Sequence, residues 1–285
     1  MLESLVNPKR VEKGSWKMFF IGLLYGSLSL LLVHWFFSRD AVLSKFSGMI
    51  VVLFCVMFSL PFIYYVIKKE EKQDEQIEGV LHVWKAHSDA IFAFMWLFLG
   101  FLIAFSFWYI LLQNTSLFNA QLETYCMINS PGGIENCVAK YSDIQGMMSG
   151  ASTSVVNFLS IIENNIYVMI FTLLLSLIFG AGAIFVLAWN ASVIASAIGV
   201  FTRYHLAQVP IGLLRYMIHG VPEIAAYFVT ALAGGILGTG IIRHGIKDKR
   251  FLHIIENVTI LLFISLALLV IAGLMEVYLT PLFFK

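Results

Sequence analysis

The sequence predicts an all-α protein that threads a lipid bilayer about seven times, with its amino terminus inside. Three observations carry this. The 285 residues are 60% hydrophobic and only 12% charged, with mean hydropathy +0.87, whereas ordinary soluble domains carry about 25% charge. Apolar runs near the length of one crossing, about 20 residues, recur along the chain. Lys and Arg gather in a few short segments between those runs. One core of this size cannot hide so much apolar surface from water. A net charge of +1 offers no field for nucleic acid, and no nucleic-acid module is present.

The mixed polar stretch Met1 to Lys17 leads into a first span, about Met18 to Phe37, with no small-x-small cleavage site, so it reads as a retained helix. The turn Ser38-Arg39-Asp40 leads to a second span, about Val42 to Ile67, where Pro61 is placed to kink the helix. The most charged segment follows, Lys68 to Asp89, and then a third helix, about Ala90 to Leu112. Residues 113 to 151 are polar. A fourth helix is expected at roughly Ile166 to Trp189. From Asn190 to Glu223 apolar pieces are interrupted by Arg203, His205, Pro210, Arg215, His219 and Pro222. A Gly-rich helix, about Ile224 to Ile242, ends at a basic loop, and the last helix spans about Ile254 to Leu279.

Orientation follows the basic residues near the helix ends. Lys9, Arg10, Lys13 and Lys17 precede the first span. Lys68, Lys69, Lys72 and Lys85 follow the second, and Arg243, Lys247, Lys249 and Arg250 precede the last. The 113–151 loop has only Lys140. All three basic segments are cytoplasmic if residues 190 to 223 hold one crossing, near Ser192 to Val209. That gives seven helices, with the carboxyl terminus outside. The count falls to six if that region only dips into the bilayer. The chain then divides into an N-terminal hairpin with a charged cytoplasmic loop (1–88) and a five-helix core (89–285) bearing the external loop.

Cys126 and Cys137 both lie in that external loop, where an oxidising environment favours a disulfide that closes a short loop. Cys55 falls mid-helix and reads as a small core residue. No C-x-x-C spacing exists to hold zinc, and no cofactor is expected. Asn114-Thr115-Ser116 forms a glycosylation sequon. Small residues recur every fourth position at Gly22 and Gly26, Ala195 and Gly199, and Gly234 and Gly238. That spacing lets helices approach closely in lipid, within one subunit or between two.

Charge before the Gly-rich helix is the unusual feature. A carboxylate at membrane depth needs a partner or a function. Pro222 suits a first helical position, which places Glu223 in a first turn where the helix dipole favours it. His219, Arg215 and the pair Asn164-Asn165 are candidate hydrogen-bonding partners. The alternative is a polar site for an ion, a proton or a partner. His219 and Glu223 have metal-ligand spacing, but Gly220 and Pro222 argue against one continuous helix, and His205 and His244 are the nearest further ligands for an intramembrane metallohydrolase. Asn164, Asn165 and Asn190 bracket the fourth helix and are expected to cap it or to bond its neighbours. His253, Glu256, Asn257 and Glu276, near the ends of the last helix, read as interfacial anchors.

The stretch ENNIYVMIFTLLLSLIFGAGAIFVLAWNASVIASAIG, followed by IHGVPEIAAYFVTALAGGILG, resembles the stage II sporulation protein M family. The matching positions are Asn164, Asn165, Gly180, Gly182, Asn190, His219, Gly220 and Glu223. The usual Gly after the closing Asn is Ala191 here, and residues 1 to 88 stand outside the resemblance, which covers about 90 to 280. It implies a five-helix core and a membrane anchor for partner complexes, with no established catalytic residue; sporulation itself does not carry over.

Three functions follow as expectations. The first is a non-enzymatic scaffold in the cell membrane, a homodimer holding membrane or cell-envelope proteins or shaping the bilayer. The second is a transporter or channel for a small solute or ion built on the polar 190–223 region, since interrupted segments at membrane depth often line a site. The third is the metallohydrolase.

Overall fold

The computed structural model describes residues 15–74, 80–129, 135–138, 154–179, 183–202, 205–245 and 247–283. It is 94% helical, with no strand among the described residues. Among the described residues seven helices are long and apolar enough to cross a membrane: α1 (Lys17–Phe36), α2 (Ser47–Asp74), α3 (Val80–Leu112), α5 (Ser154–Phe179), α6 (Ala183–Thr202), α7 (Val209–His244) and α8 (Lys249–Leu274). The eighth, α4 (Asn119–Asn129), lies in the segment between α3 and α5. After α8 the chain continues through a π-helical turn, Met275–Leu279, into the short α9 (Thr280–Phe283).

The core is a ladder of phenylalanines. Phe94, Phe98, Phe101 and Phe105 are buried at three- and four-residue spacing on one face of α3, and Phe228 of α7 meets Phe94 and Phe98 at ring distances of 5.9 and 6.2 Å. Around this ladder the helices close on glycine. A β-carbon on Gly22 would overlap the Leu97 carbonyl oxygen of α3, and one on Gly100 would meet the Phe19 carbonyl of α1. Gly26 lies against Phe101 and Ala104. On α7, Gly234 and Gly238 face the carbonyls of Leu173 and Leu177 on α5, and Gly199 of α6 sits under the Tyr109 ring of α3. In hydrocarbon, where apolar burial gives little drive for association, such close backbone contact is a main source of attraction. Each of these glycine contacts joins two helices of the same chain.

Several boundaries differ from those the sequence suggested. The expected fourth helix, Ile166 to Trp189, is two helices, α5 and α6. The residues between them, Gly180, Ala181 and Gly182, lie outside the described residues; they carry no charge, so hydropathy runs through them unbroken. The described residues of Asn190 to Glu223 are largely helical. They hold most of α6, the 3-10 turn Leu206–Gln208, and the first part of α7. The crossing expected at Ser192 to Val209 therefore starts earlier, at Ala183.

The Gly-rich helix does not begin at Ile224. α7 is one helix of 36 residues with Pro222 inside it, and Pro210 takes the early position instead. Proline removes one backbone hydrogen bond, which neighbouring groups in a membrane bundle can offset. The charged segment Lys68 to Asp89 is largely helical, since α2 runs to Asp74 and α3 starts at Val80.

The described parts of the 113–151 segment, residues 113–129 and 135–138, hold regular structure. Thr115–Phe118 forms a 3-10 turn capped by Asn114, whose side chain accepts from Ser116 N at 3.2 Å. α4 follows and docks through buried Gln121, whose amide donates to the Gly48 carbonyl at 2.9 Å and to Ser192 Oγ at 3.1 Å. Cys126 on α4 is disulfide-bonded to Cys137, with Cα atoms 5.7 Å apart.

Candidate functional site

Polar side chains line up along the seam between α7 and α8. On α7, His219, Glu223, Tyr227 and Thr230 recur at three- and four-residue spacing, so they share one face of an unbroken helix. The antiparallel chain of α8 and its extension presents Ser265, Glu276 and Thr280. Three links join the two. Thr230 Oγ1 lies 2.5 Å from Ser265 Oγ, and Ser265 also reaches the Ala226 carbonyl oxygen at 2.8 Å. His219 Nδ1 lies 3.1 Å from Thr280 Oγ1. Between these, Tyr227 donates to Glu223 Oε1 at 3.0 Å. Glu276 is carried by the π-helical turn.

The third wall is α5. Met169 Sδ lies 3.3 Å from Ser265 Oγ, and Asn165, one turn away on the same face, is 6% exposed. Asn164 is exposed and donates to Asn165 Oδ1 at 3.4 Å. Both lie well inside α5, so they do not cap it. Asn190, inside α6, donates to the Val186 carbonyl of its own helix at 2.8 Å; it does not close the preceding one. Arg215, one turn before His219, stacks over the Phe201 ring at 5.1 Å. Gly220 is buried on the same helix. Glu223 is not in a first turn; it accepts from Tyr227 on its own helix, with no helix N-terminus involved.

Depth follows from α6. At 20 residues it is just long enough to cross, and Asn190 falls in its middle third. Asn190, Thr172, Ile224 and Tyr227 line one cleft, which is too narrow to admit a water molecule. Glu223, bonded to Tyr227, therefore lies within the hydrocarbon layer.

A second polar cluster closes the basic end of the bundle. Glu70 and His87 pair at 2.8 Å between α2 and α3, and Glu71 receives Arg243, with His244 Nε2 at 3.4 Å, from the end of α7. Glu70, Glu71 and His87 are buried. The ends of α2 and α7 and the start of α3 thus converge. Sequence reading missed this cluster and took Glu276 for an interfacial anchor. The signal for Glu276 was a lone carboxylate in an otherwise apolar run, the same signal that had marked Glu223. Among the described residues no three of His, Cys, Asp and Glu come together as a metal site. His205 and His244 stand near opposite ends of α7, so the proposed ligand set does not assemble.

Seven bilayer-length helices closed around a phenylalanine ladder, with a polar seam inside, define a polytopic α-helical membrane protein. The sequence profile of the family described as stage II sporulation protein M matches residues 18–281, and the chain belongs to that family. The match takes in the N-terminal hairpin, beyond the stretch that the residue pattern alone had covered. No curated protein and no solved structure matches the chain.

Proposed function

We propose that this protein is a non-enzymatic scaffold of the cell membrane, working as a homodimer that holds membrane or cell-envelope proteins in place. In this reading the basic end faces the cytoplasm and the disulfide-bridged segment faces outward. The observation that carries it is the unequal burial of the spans. Within α7 78% of the most apolar window is buried, but in α5 only 17%. α5 is gripped along one side by the glycines of α7 and offers Tyr167, Phe171, Leu174 and Ile178 laterally. A full-length spanning helix held on one side by a glycine-locked bundle is suited to lateral assembly, and the anchoring role that the family resemblance implies agrees with it.

Mass measurement in detergent, with cysteine crosslinking at Leu174 and Ile178, tests the proposal. A dimer crosslinked through α5, or a co-purified membrane partner crosslinked there, is the expected result. A lone monomer without crosslinks overturns it. A second reading, a carrier of a small ion, draws on the two carboxylates in the α7–α8 seam. Liposome flux abolished by Glu223→Gln would favour it over the scaffold.

A further inference from the structure

We propose that the outward side of α5 pairs in parallel with α5 of a second copy of this chain, keyed by hydrogen bonding between the two Asn164 amides. The inference rests on the homodimer proposed above and adds which residues meet and what sets their register.

What α5 leaves outside the bundle is a regular seam. Ser160, Asn164, Tyr167, Phe171, Leu174 and Ile178 are all exposed, and the steps between them alternate four and three. That is the a and d pattern of a left-handed helix pair, in which side chains of one helix seat between those of the other. Asn164, Phe171 and Ile178 take a positions, and Ser160, Tyr167 and Leu174 take d positions. Spacing alone does not require a partner. On α2 the exposed residues Leu53, Met57, Leu60 and Tyr64 repeat the same steps, and lipid satisfies an apolar stripe of that kind.

Asn164 makes the difference. It stands on the outward stripe about 22 Å from Phe179, at about 1.5 Å of rise per residue, whereas the hydrocarbon layer is about 30 Å thick. α6 starts its own crossing at Ala183, shortly after Phe179, so Phe179 marks the inner edge of that layer. Asn164 is therefore inside it. An amide carries two N–H donors and an accepting oxygen. One N–H goes to Asn165 Oδ1 at 3.4 Å, and among the described residues the other N–H and the oxygen have no partner. Facing lipid, they forgo hydrogen bonds that water would supply.

A second copy supplies both. Every copy inserts in the same sense, so two neighbouring α5 helices run parallel, related by a two-fold axis along the membrane normal. Such an axis sets each a residue opposite its own counterpart. The remaining N–H of one Asn164 then meets the oxygen of the other. One side chain thus provides donor and acceptor alike, which favours self-pairing over a different partner. A single asparagine at an a position fixes register and pair number in parallel helix pairs. Glu163, also exposed, falls beside the seam at a g position nearer the outer end, where a longer side chain can reach the headgroups.

Crosslinking and affinity test this together. Single cysteines replacing Tyr167, Phe171, Leu174 or Ile178 should, on oxidation in lipid, join two copies much faster than Phe263→Cys. Phe263 is as exposed on α8 and reports chance collision. Asn164→Ala should weaken the dimer about 3- to 20-fold, the span to which interhelical hydrogen bonds in membranes correspond. Energy transfer between amino-terminal fluorescent fusions, followed as lipid dilutes the protein, reads that change. Crosslinks on α5 no faster than at Phe263 overturn the seam, a result obtained with Asn164 intact. Wild-type affinity in Asn164→Ala overturns the amide key. A stable dimer crosslinked through another helix overturns this inference and leaves the homodimer standing. Capture of the α5 cysteines by a different membrane protein alone overturns the second copy and leaves the scaffold. A monomer at every lipid ratio that captures no other protein overturns both.

Discussion

His87 Nδ1 lies 2.8 Å from Glu70 Oε2, and the two buried side chains join the start of α3 to the end of α2. Removing one member of a buried hydrogen-bonded pair typically costs about 1–3 kcal/mol. His87→Ala and Glu70→Ala should therefore each lower the thermal midpoint in detergent. The double variant should lose clearly less than the sum of the two, because the second change removes a group already stranded. Strict additivity would show that the pair is not coupled.

Glu71 extends the same junction to α7 through Arg243 and His244. Its carboxylate is fully buried while Arg243 is partly exposed, so the two ends are unequal. Glu71→Gln should destabilise less than Glu71→Ala, since the amide retains an acceptor for Arg243. Arg243→Ala should approach Glu71→Ala in cost, because it leaves the buried Glu71 carboxylate with only the longer His244 contact. Denaturation of the three variants side by side checks the order.

Gly22 and Gly212 separate overlap with backbone from a tight side-chain fit. A β-carbon at Gly22 would overlap a backbone carbonyl, which cannot move aside alone, whereas at Gly212 it would meet side-chain atoms of Ile198, Phe201 and Thr202 at 3.2–3.3 Å, a fit that a shift of a few tenths of an ångström relieves. Gly22→Ala should cost about 1–3 kcal/mol through overpacking, and Gly212→Ala little by comparison. Both variants should keep the wild-type mass in detergent, since each glycine packs within the chain. A mass change with Gly22→Ala would move that contact to a subunit interface.

How much of this was legible in the sequence depended on which physical signal each residue carried. Spans announced themselves through length and hydropathy, so seven crossings were readable although two boundaries were not. Gly180 to Gly182 add no polarity to an apolar run, and one long helix stood where there are two. Pro222 sent the opposite signal. It argued for a helix start, yet α7 carries it internally, because interhelical packing can outweigh one missing backbone bond. The disulfide needed only two cysteines in one polar segment. Glu223 was singled out because a carboxylate among apolar residues is costly. Glu276 carried the same cost but stood near a helix end, where charges usually reach the interface. Its role depends on the antiparallel pairing of α7 and α8, which no local pattern encodes. Glu70 and Glu71 lay in a run of charges that resembles a solvated face, and only the meeting of three helix ends buries them.

Cys126 and Cys137 are eleven residues apart in sequence, and closing so short a loop contributes about 3 kcal/mol in the chain-entropy account. Cys55, the remaining cysteine, is fully buried. A thiol-reactive maleimide should therefore add no mass to the folded, unreduced protein. Reduction should add two labels and lower the thermal midpoint. Labelling before reduction would show that the bridge is absent.

Asp248 caps α8, its carboxylate accepting from Arg250 N at 2.9 Å. That backbone N–H, followed by the Arg250 side chain, holds the Asp248 carboxyl below the usual carboxylate range. A depressed folded-state value means the cap stabilises at neutral pH, above the unfolded value, and that the contribution fades as pH falls through the folded value. Asp248→Ala should thus fray the first turn of α8 at neutral pH, with faster amide exchange than wild type at residues 250 to 252. At about pH 3 or below, near or under the ordinary carboxylate value, the difference between variant and wild type should shrink. Asp248→Asn should stay close to wild type at neutral pH and be better protected than wild type at about pH 3 or below, because asparagine caps nearly as well as aspartate without titrating. Equal differences at both pH values would show that the carboxylate's charge does not hold the helix start.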